Sequence, residues 1–190
     1  MTTMRPIRTL ATVLVLAAVA LTGCRTSQAA RQPGSGLCRR PVLGTTPKQV
    51  LAIPIGAEIY QVRAATHQAC DRVVFDLNGL GRLGYLVRYV PAVSADPSGT
   101  PIRVAGSAVL QVTIQAPDFA QSGHQPWPTP WQLGQRLTGG WPALREVRFA
   151  GSFEHVTSFA VGVDARRPFR VLVLPDPSNH VTRLVVDIAH

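Results

Sequence analysis

The chain has 190 residues, of which 19 are basic and 10 acidic, and its formal net charge is +9. Such a surplus is compatible with nucleic acid, an anionic membrane surface or an acidic wall polymer as a partner. The basic residues are scattered without a run of five or six, which excludes a dedicated polyanion-binding arm.

Residues 1–23 have the organisation of an export signal. Arg5 and Arg8 precede an uncharged apolar run over residues 10–21, and small residues lead up to Cys24. The run is shorter than the roughly 20 apolar residues that a membrane span needs. We therefore predict that residues 1–23 are removed and that the exported chain lies outside the cytosol, where nucleic acid is not an expected partner.

The tetrad Leu21-Thr22-Gly23-Cys24 resembles the processing box of bacterial lipoproteins. This resemblance implies that the thiol of Cys24 is acylated and becomes the first residue of the mature protein. Its acyl chains would anchor the protein to the extracytoplasmic face of the cell membrane, at about 0.8 kcal/mol per buried methylene. The alternative is an ordinary cleaved signal that is followed by a cysteine by chance.

Two further cysteines, Cys38 and Cys70, form an even pair once Cys24 carries lipid. Disulfides persist outside the cytosol, so we predict a bridge that pins the end of the tether to the folded domain. A loop of this length contributes about 3 to 4 kcal/mol in the chain-entropy model. A metal site is the alternative, but two distant cysteines without a histidine cluster are a poor zinc signature. No metal and no cofactor are predicted.

Residues 24–58 are predicted to be a flexible tether, and residues 59–190 a β domain. The first part of the tether is rich in Gly, Pro, Ser, Thr, Gln and Arg and has few large apolar residues, so it cannot bury enough surface to order itself. After the signal is removed, 167 of the 190 residues remain, which is enough for one domain with a sizeable core.

The domain reads as a series of short apolar runs separated by turn residues, and several runs alternate between apolar and polar positions. Eight strands are predicted, at residues 59–64, 72–77, 85–90, 108–115, 144–150, 157–163, 169–174 and 183–188. Because one face of such strands is buried and the other is wet, we predict an all-β fold of two packed antiparallel sheets, either a β-sandwich or a barrel-like arrangement.

The glycines Gly79, Gly81 and Gly84 spell the GxGxxG pattern of dinucleotide-binding proteins. That function requires a helix directly after the glycines, whereas the sequence from Tyr85 onward predicts a strand. We interpret the glycines as a turn or bulge between two strands.

Catalytic motifs are absent from the sequence. There is no GxSxG, and the five dispersed histidines do not form HExxH. We therefore predict no catalytic residues, although two carboxylates distant in the chain could still converge as they do in glycosidases.

All three tryptophans lie in one irregular stretch, residues 116–142. Trp127 and Trp131, with the nearby Arg136, are candidate ligand contacts, because exposed indole rings stack on sugars or on protein partners. The alternative is that the rings fold back and cover an open end of the sheets, since exposing several of them to water is costly.

The domain resembles the AMIN-like family of exported bacterial proteins, which is related to the AMIN domain of cell-wall amidases and secretins. The stretches that carry the resemblance are Thr66-His67 with Asp71 to Leu77, Leu144 to Arg148 with Gly151 to Glu154 and Phe159 to Asp164, and Pro168 to Val171 with Arg183 to His190. The resemblance implies a compact β fold without catalytic activity.

AMIN domains direct their partner proteins to the envelope, often through peptidoglycan. By this resemblance we expect a lipid-anchored, non-catalytic envelope protein that binds peptidoglycan or another envelope component. A second hypothesis is an assembly lipoprotein that binds an exported protein partner through a sheet edge. A third is an envelope hydrolase.

Overall fold

The computed structural model describes residues 44–52, 56–118 and 135–190. This part of the chain is all β, and it contains no helix with the length and hydropathy that a membrane crossing requires. Its strands are β1 (Lys48–Val50), β2 (Glu58–His67), β3 (Cys70–Asn78), β4 (Tyr85–Val90), β5 (Val93–Ser94), β6 (Pro101–Ile102), β7 (Ala108–Ile114), β8 (Arg136–Thr138), β9 (Leu144–Phe153), β10 (Val156–Val163), β11 (Phe169–Asp176) and β12 (Val181–Ala189).

Two antiparallel sheets make up the fold. A six-stranded sheet has the order β1-β4-β7-β10-β9-β8, and a four-stranded sheet has the order β11-β12-β3-β2. The short strands β5 and β6 pair only with each other. The sheets do not close into a barrel. Of the two arrangements that the sequence left open, the structure therefore shows the β-sandwich-like one.

One hydrophobic core joins the inner faces of both sheets. Phe75 from the four-stranded sheet lies with its ring centroid 4.8 Å from that of Phe159 in the six-stranded sheet, and Phe149 lies 5.6 Å from Phe159. Phe75 and Phe159 are both fully buried. Burial of each such ring stabilises the fold by about 1.5 to 3 kcal/mol.

The carboxylate of Asp71 links the two sheets at one end of the core. It lies at the start of β3, is fully buried, and accepts hydrogen bonds from the backbone N–H groups of Ala143 (2.7 Å) and Leu144 (2.8 Å), where β9 begins. Its second oxygen accepts a hydrogen bond from the Thr66 hydroxyl at 2.9 Å. The buried charge is thereby satisfied by three donors.

All eight predicted strands are present, with ends that differ by a few residues. The GxGxxG glycines lie between β3 and β4, and Gly79 and Gly81 adopt φ values of 94° and 145° that favour glycine. The glycines thus lie in an irregular connection between two strands, as the interpretation of a turn or bulge requires.

Four short strands were not predicted. β1 lies inside residues 24–58, the predicted tether, and pairs with β4, while Gly44 pairs with Phe169 at the start of β11. The ordered part of the chain thus begins before residue 59. β8 lies inside the stretch 116–142 that was expected to be irregular, and it pairs with β9.

The outer side of the six-stranded sheet is partly covered by residues 93–104, whose apolar side chains pack on Ala150 and Ala160. At Gly162 the covering segment comes so close that an added Cβ would collide with the backbone oxygen of Ala105. Glycine is therefore required at this position by close approach rather than by an unusual backbone angle.

Candidate functional site

The outer face of the four-stranded sheet carries the charged side chains of four arginines and three aspartates. Arg63 on β2, Arg72 and Asp76 on β3, Arg183 and Asp187 on β12, and Arg170 and Asp176 on β11 belong to this face. The four guanidinium groups exceed the three carboxylates by one positive charge. We call this surface the arginine face.

The first cluster on the arginine face is centred on Asp76, whose side chain is 3% exposed. Arg63 donates to its two oxygens at 2.6 and 3.0 Å, and Arg183 donates to it at 3.1 Å. Arg183 also donates to Asp176 at 3.2 Å. The hydrogen bond to Asp76 is the main reason that the pKa of Arg63 is raised.

The second cluster is centred on Asp187, which is fully buried. Arg72 donates to both of its oxygens at 2.6 and 2.9 Å, and Arg170 donates twice to one oxygen at 2.9 and 2.8 Å. Both arginines are direct cross-strand neighbours of Asp187. Paired geometry of this kind is strong and directional because each guanidinium presents a planar fork of N–H donors.

Val74 and Val185 lie between the two clusters. They belong to the outer face, yet they are only 7% and 2% exposed. The expectation that one side of β3 is wet is therefore wrong, because the long arms of the surrounding arginines cover its outer face.

A groove of about 320 Å³ runs over this covered region. Its lining residues are Arg63, Ala64, Ala65, His67, Arg72, Val74, Leu174, Arg183 and Val185. Arg63 is half exposed, with 51% of its side chain accessible, and Asp76 occupies only two of its five N–H donors. The groove therefore combines an apolar floor with guanidinium groups that have donors to spare. We call it the arginine groove.

Tyr60 is an aromatic residue of β2 whose phenol interacts electrostatically with the Asp76 cluster. The register of β2 shifts between Ile59 and Gln61, which makes Tyr60 an extra residue relative to β3. Burial is the first cause that raises the pKa of the Tyr60 phenol, and the negative charge of Asp76 is the second. Tyr60 thus lies within the electrostatic field of the Asp76 cluster.

Most of the residues that the sequence suggested as sites lie elsewhere. Cys24, Cys38, Trp127 and Trp131 are outside the described residues, so the acylation, the disulfide and the tryptophan contacts stay predictions. Cys70, the second half of the predicted disulfide, is fully buried at the start of β3.

Residues 116–118 and 135–142 of the stretch 116–142 are described, and they include two residues that bear on its interpretation. Arg136 is exposed in β8 at the edge of the six-stranded sheet, and it does not line the arginine groove. Trp141 is partly buried and packs against the core. For this one ring, the packing agrees with the alternative that the tryptophans fold back onto the sheets.

Sequence reasoning missed the arginine face, although its residues were in view. Asp76, Arg183 and Asp187 all lie in the stretches that carry the family resemblance. The available signal was that the charged residues of this face are an even number of positions apart within each apolar strand and therefore share one side of the strand. A solvated surface was the simpler interpretation of this pattern.

Four buried carboxylates are held by nearby donors. Asp71 accepts from backbone N–H groups and a hydroxyl, and Asp76 and Asp187 accept from arginines. Glu146 accepts from Arg148 and from the backbone N–H of Ala105. These carboxylates are therefore engaged in hydrogen bonds within the domain. Within the described ranges, no three His, Cys, Asp or Glu residues are placed to hold a metal ion.

Comparison with known proteins gives one family. The family model described as AMIN-like domain matches residues 57–190. No curated protein and no solved structure matches the chain significantly.

Proposed function

This chain belongs to the AMIN-like domain family, and on that basis we propose that it is a lipid-anchored, non-catalytic cell-envelope protein that binds peptidoglycan through the arginine groove. Membership of the family supports association with the envelope. The observation that carries the choice of surface is the groove of about 320 Å³ with Arg63 and Arg183 on its rim.

Peptidoglycan has the chemistry that such a groove accommodates. Its stem peptides carry carboxylates, which guanidinium groups bind in a bidentate manner, and its sugars offer apolar faces that pack on aliphatic and aromatic side chains. In the groove, Leu174 and Ala65 supply apolar contact, while Arg63 and Arg183 supply donors. The Tyr60 phenol interacts electrostatically with the same arginines.

The proposal of a non-catalytic role rests on how the acidic side chains are used. Asp71, Asp76 and Asp187 each accept hydrogen bonds that hold two sheets or neighbouring strands together. A carboxylate that is engaged in this way is a structural group rather than a free acid or base.

Sedimentation with purified sacculi tests the binding proposal. Leu174→Asp places a negative charge in the groove, where it repels a carboxylate ligand, and we expect the affinity to fall by about tenfold or more. Leu80→Asp is the matched control, because Leu80 is 36% exposed, Leu174 is 39% exposed, and Leu80 does not line the groove. Equal retention of the two variants would reject the groove as the binding surface.

Acylation is tested separately. We expect the native protein to fractionate with membranes and to incorporate labelled fatty acid, and the variant Cys24→Ser to lose both properties. An unmodified thiol on an intact first methionine would refute the proposed anchor.

A second candidate function is assembly with an exported protein partner through a sheet edge. β2 is a ten-residue strand at the edge of the four-stranded sheet, and its bridge to Asp118 involves only Ile59. Long edges accept partner strands. A photo-cross-linker at Ala65, on this edge and beside the groove, separates the two functions: a discrete protein adduct favours assembly, and adducts of muropeptide mass favour the groove.

A further inference from the structure

A second positively charged surface lies at the corner of the domain where the described chain begins. Arg145 and Arg167 lie beside the acidic residue Asp164, and Lys48 and Arg166 lie over the neighbouring rings of Phe169 and Tyr89. We call these four basic residues the basic corner. None of them lines the arginine groove.

Two aromatic rings organise this corner. The rings of Tyr89 and Phe169 meet edge to face at 5.6 Å. The Lys48 ammonium lies 5.1 Å from the centroid of Phe169, and the guanidinium of Arg166 lies 5.2 Å from that of Tyr89. The Tyr89 hydroxyl donates to the backbone oxygen of Arg167 at 2.7 Å. Lys48 and Arg166 are thus held by cation–π contacts, which leave their positive charge uncompensated.

One acid cannot neutralise four cations. Arg167 binds Asp164 in a bidentate manner at 3.1 and 2.7 Å, and Arg145 reaches the same carboxylate only at 4.0 Å. Arg145 and Arg166 are both exposed. The corner therefore carries an excess of three positive charges, compared with an excess of one on the arginine face.

The chain enters the domain at this corner. Gly44, the first described residue, exchanges two backbone hydrogen bonds with Phe169, at 3.2 and 3.0 Å. Residues 24–43 contain four arginines and no acidic residue. A segment of about 20 residues reaches at most about 70 Å, so an acylated Cys24 would keep the corner within reach of the bilayer.

We propose that the basic corner is a membrane-docking surface that binds the head groups of anionic phospholipids. The proposal relies on the proposed function only for the anchor that brings the bilayer close. Positive charges near an anionic surface act additively, and each strengthens binding about fivefold. The partner is a lipid surface, because the corner offers exposed positive charge and anionic head groups bind clustered cations.

Co-sedimentation with lipid vesicles tests this inference. The probe is the exported chain with Cys24→Ser, which cannot be acylated, mixed with vesicles of neutral lipid or of neutral lipid containing about one third phosphatidylglycerol. We expect binding to the anionic vesicles only. The double variant Arg145→Gln/Arg166→Gln should reduce it about 25-fold.

The matched control is Arg82→Gln/Arg103→Gln, which removes two exposed arginines outside the corner. We expect the binding of this control to anionic vesicles to fall by less than about threefold, because only its net charge has changed. Equal losses in both double variants, or no preference for anionic vesicles, would overturn the proposal. Corner-dependent retention on an anionic polysaccharide without vesicle binding would also overturn it, in favour of a wall polymer.

The sacculus assay distinguishes this proposal from the groove. The corner variant should sediment with peptidoglycan like the unmodified chain, and Leu174→Asp should bind anionic vesicles normally. Failure of vesicle binding with intact sacculus binding would reject the corner alone. The reverse result would reject the groove alone.

Discussion

Replacing Asp187 by Asn removes the charge that holds two nearly buried arginines. Asp187 is fully buried, and the side chains of Arg72 and Arg170 are only 13% and 10% exposed. The substitution keeps the volume but leaves two guanidinium groups without a counter-charge. Breaking a buried pair by removing one partner costs about 3 to 5 kcal/mol. At about 4 °C per kcal/mol for a domain of this size, the melting temperature should fall by about 12 to 20 °C.

Urea and thermal unfolding of the exported chain measure this loss. Asp176→Asn is the matched control: this acid also binds an arginine, but its side chain is 22% exposed, so its loss should lower the free energy of unfolding far less than the loss of Asp187. A triple replacement of Asp187, Arg72 and Arg170 by apolar residues of similar size should recover most of the stability. A loss below about 1 kcal/mol for Asp187→Asn would refute the account of a buried, mutually dependent cluster.

Three further predictions concern other parts of the chain. Gly162→Ala should lower the free energy of unfolding by about 1 to 3 kcal/mol because its Cβ meets the covering segment, whereas Gly140→Ala, with open space around it, should have little effect in the same urea titration. Cys38→Ser should cost about 3 to 4 kcal/mol under oxidising conditions, and a reducing agent should abolish the difference from the unmodified chain. The hydrogen bond from its arginine partner lowers the pKa of Asp164 below its ordinary value of 3.8. Its stabilisation is therefore present above about pH 4 and lost as the pH falls through the folded-state pKa, so Asp164→Asn should differ from the unmodified chain at pH 6 but converge with it in strong acid.

The strands of the core were predictable because their side chains repeat with the period of a strand. Val73, Phe75 and Leu77 alternate on β3, and all three are fully buried in the core. The strands β1, β5, β6 and β8 have two or three residues each, too few for a periodic pattern to appear. They form because longer neighbours offer free edges or a surface to pack on.

The arginine face was not predictable from local pattern. Arg72 and Asp187 are separated by 115 residues in the chain, and only the pairing of β3 with β12 brings them together. A charged residue inside an apolar strand can equally be a solvated side chain. The register, which depends on long-range pairing, decides between these interpretations.

The basic corner depends on long-range contacts in the same way. Lys48 lies in the predicted tether, and Arg166 lies between the predicted strands at residues 157–163 and 169–174. Their proximity follows from the packing of Phe169 against Tyr89 and from the pairing of Gly44 with Phe169. Neither contact has a local sequence signal.

Mapping of backbone amide shifts on the isotopically labelled exported chain, titrated with soluble peptidoglycan fragments, tests the central claim most directly. We predict that the perturbed amides cluster on β2, β3, β11 and β12 around Arg63, His67, Leu174 and Arg183, and that those of the basic corner stay unchanged. Perturbations confined to other surfaces, or none at saturating fragment, would contradict the assignment of the arginine groove as the peptidoglycan-binding site.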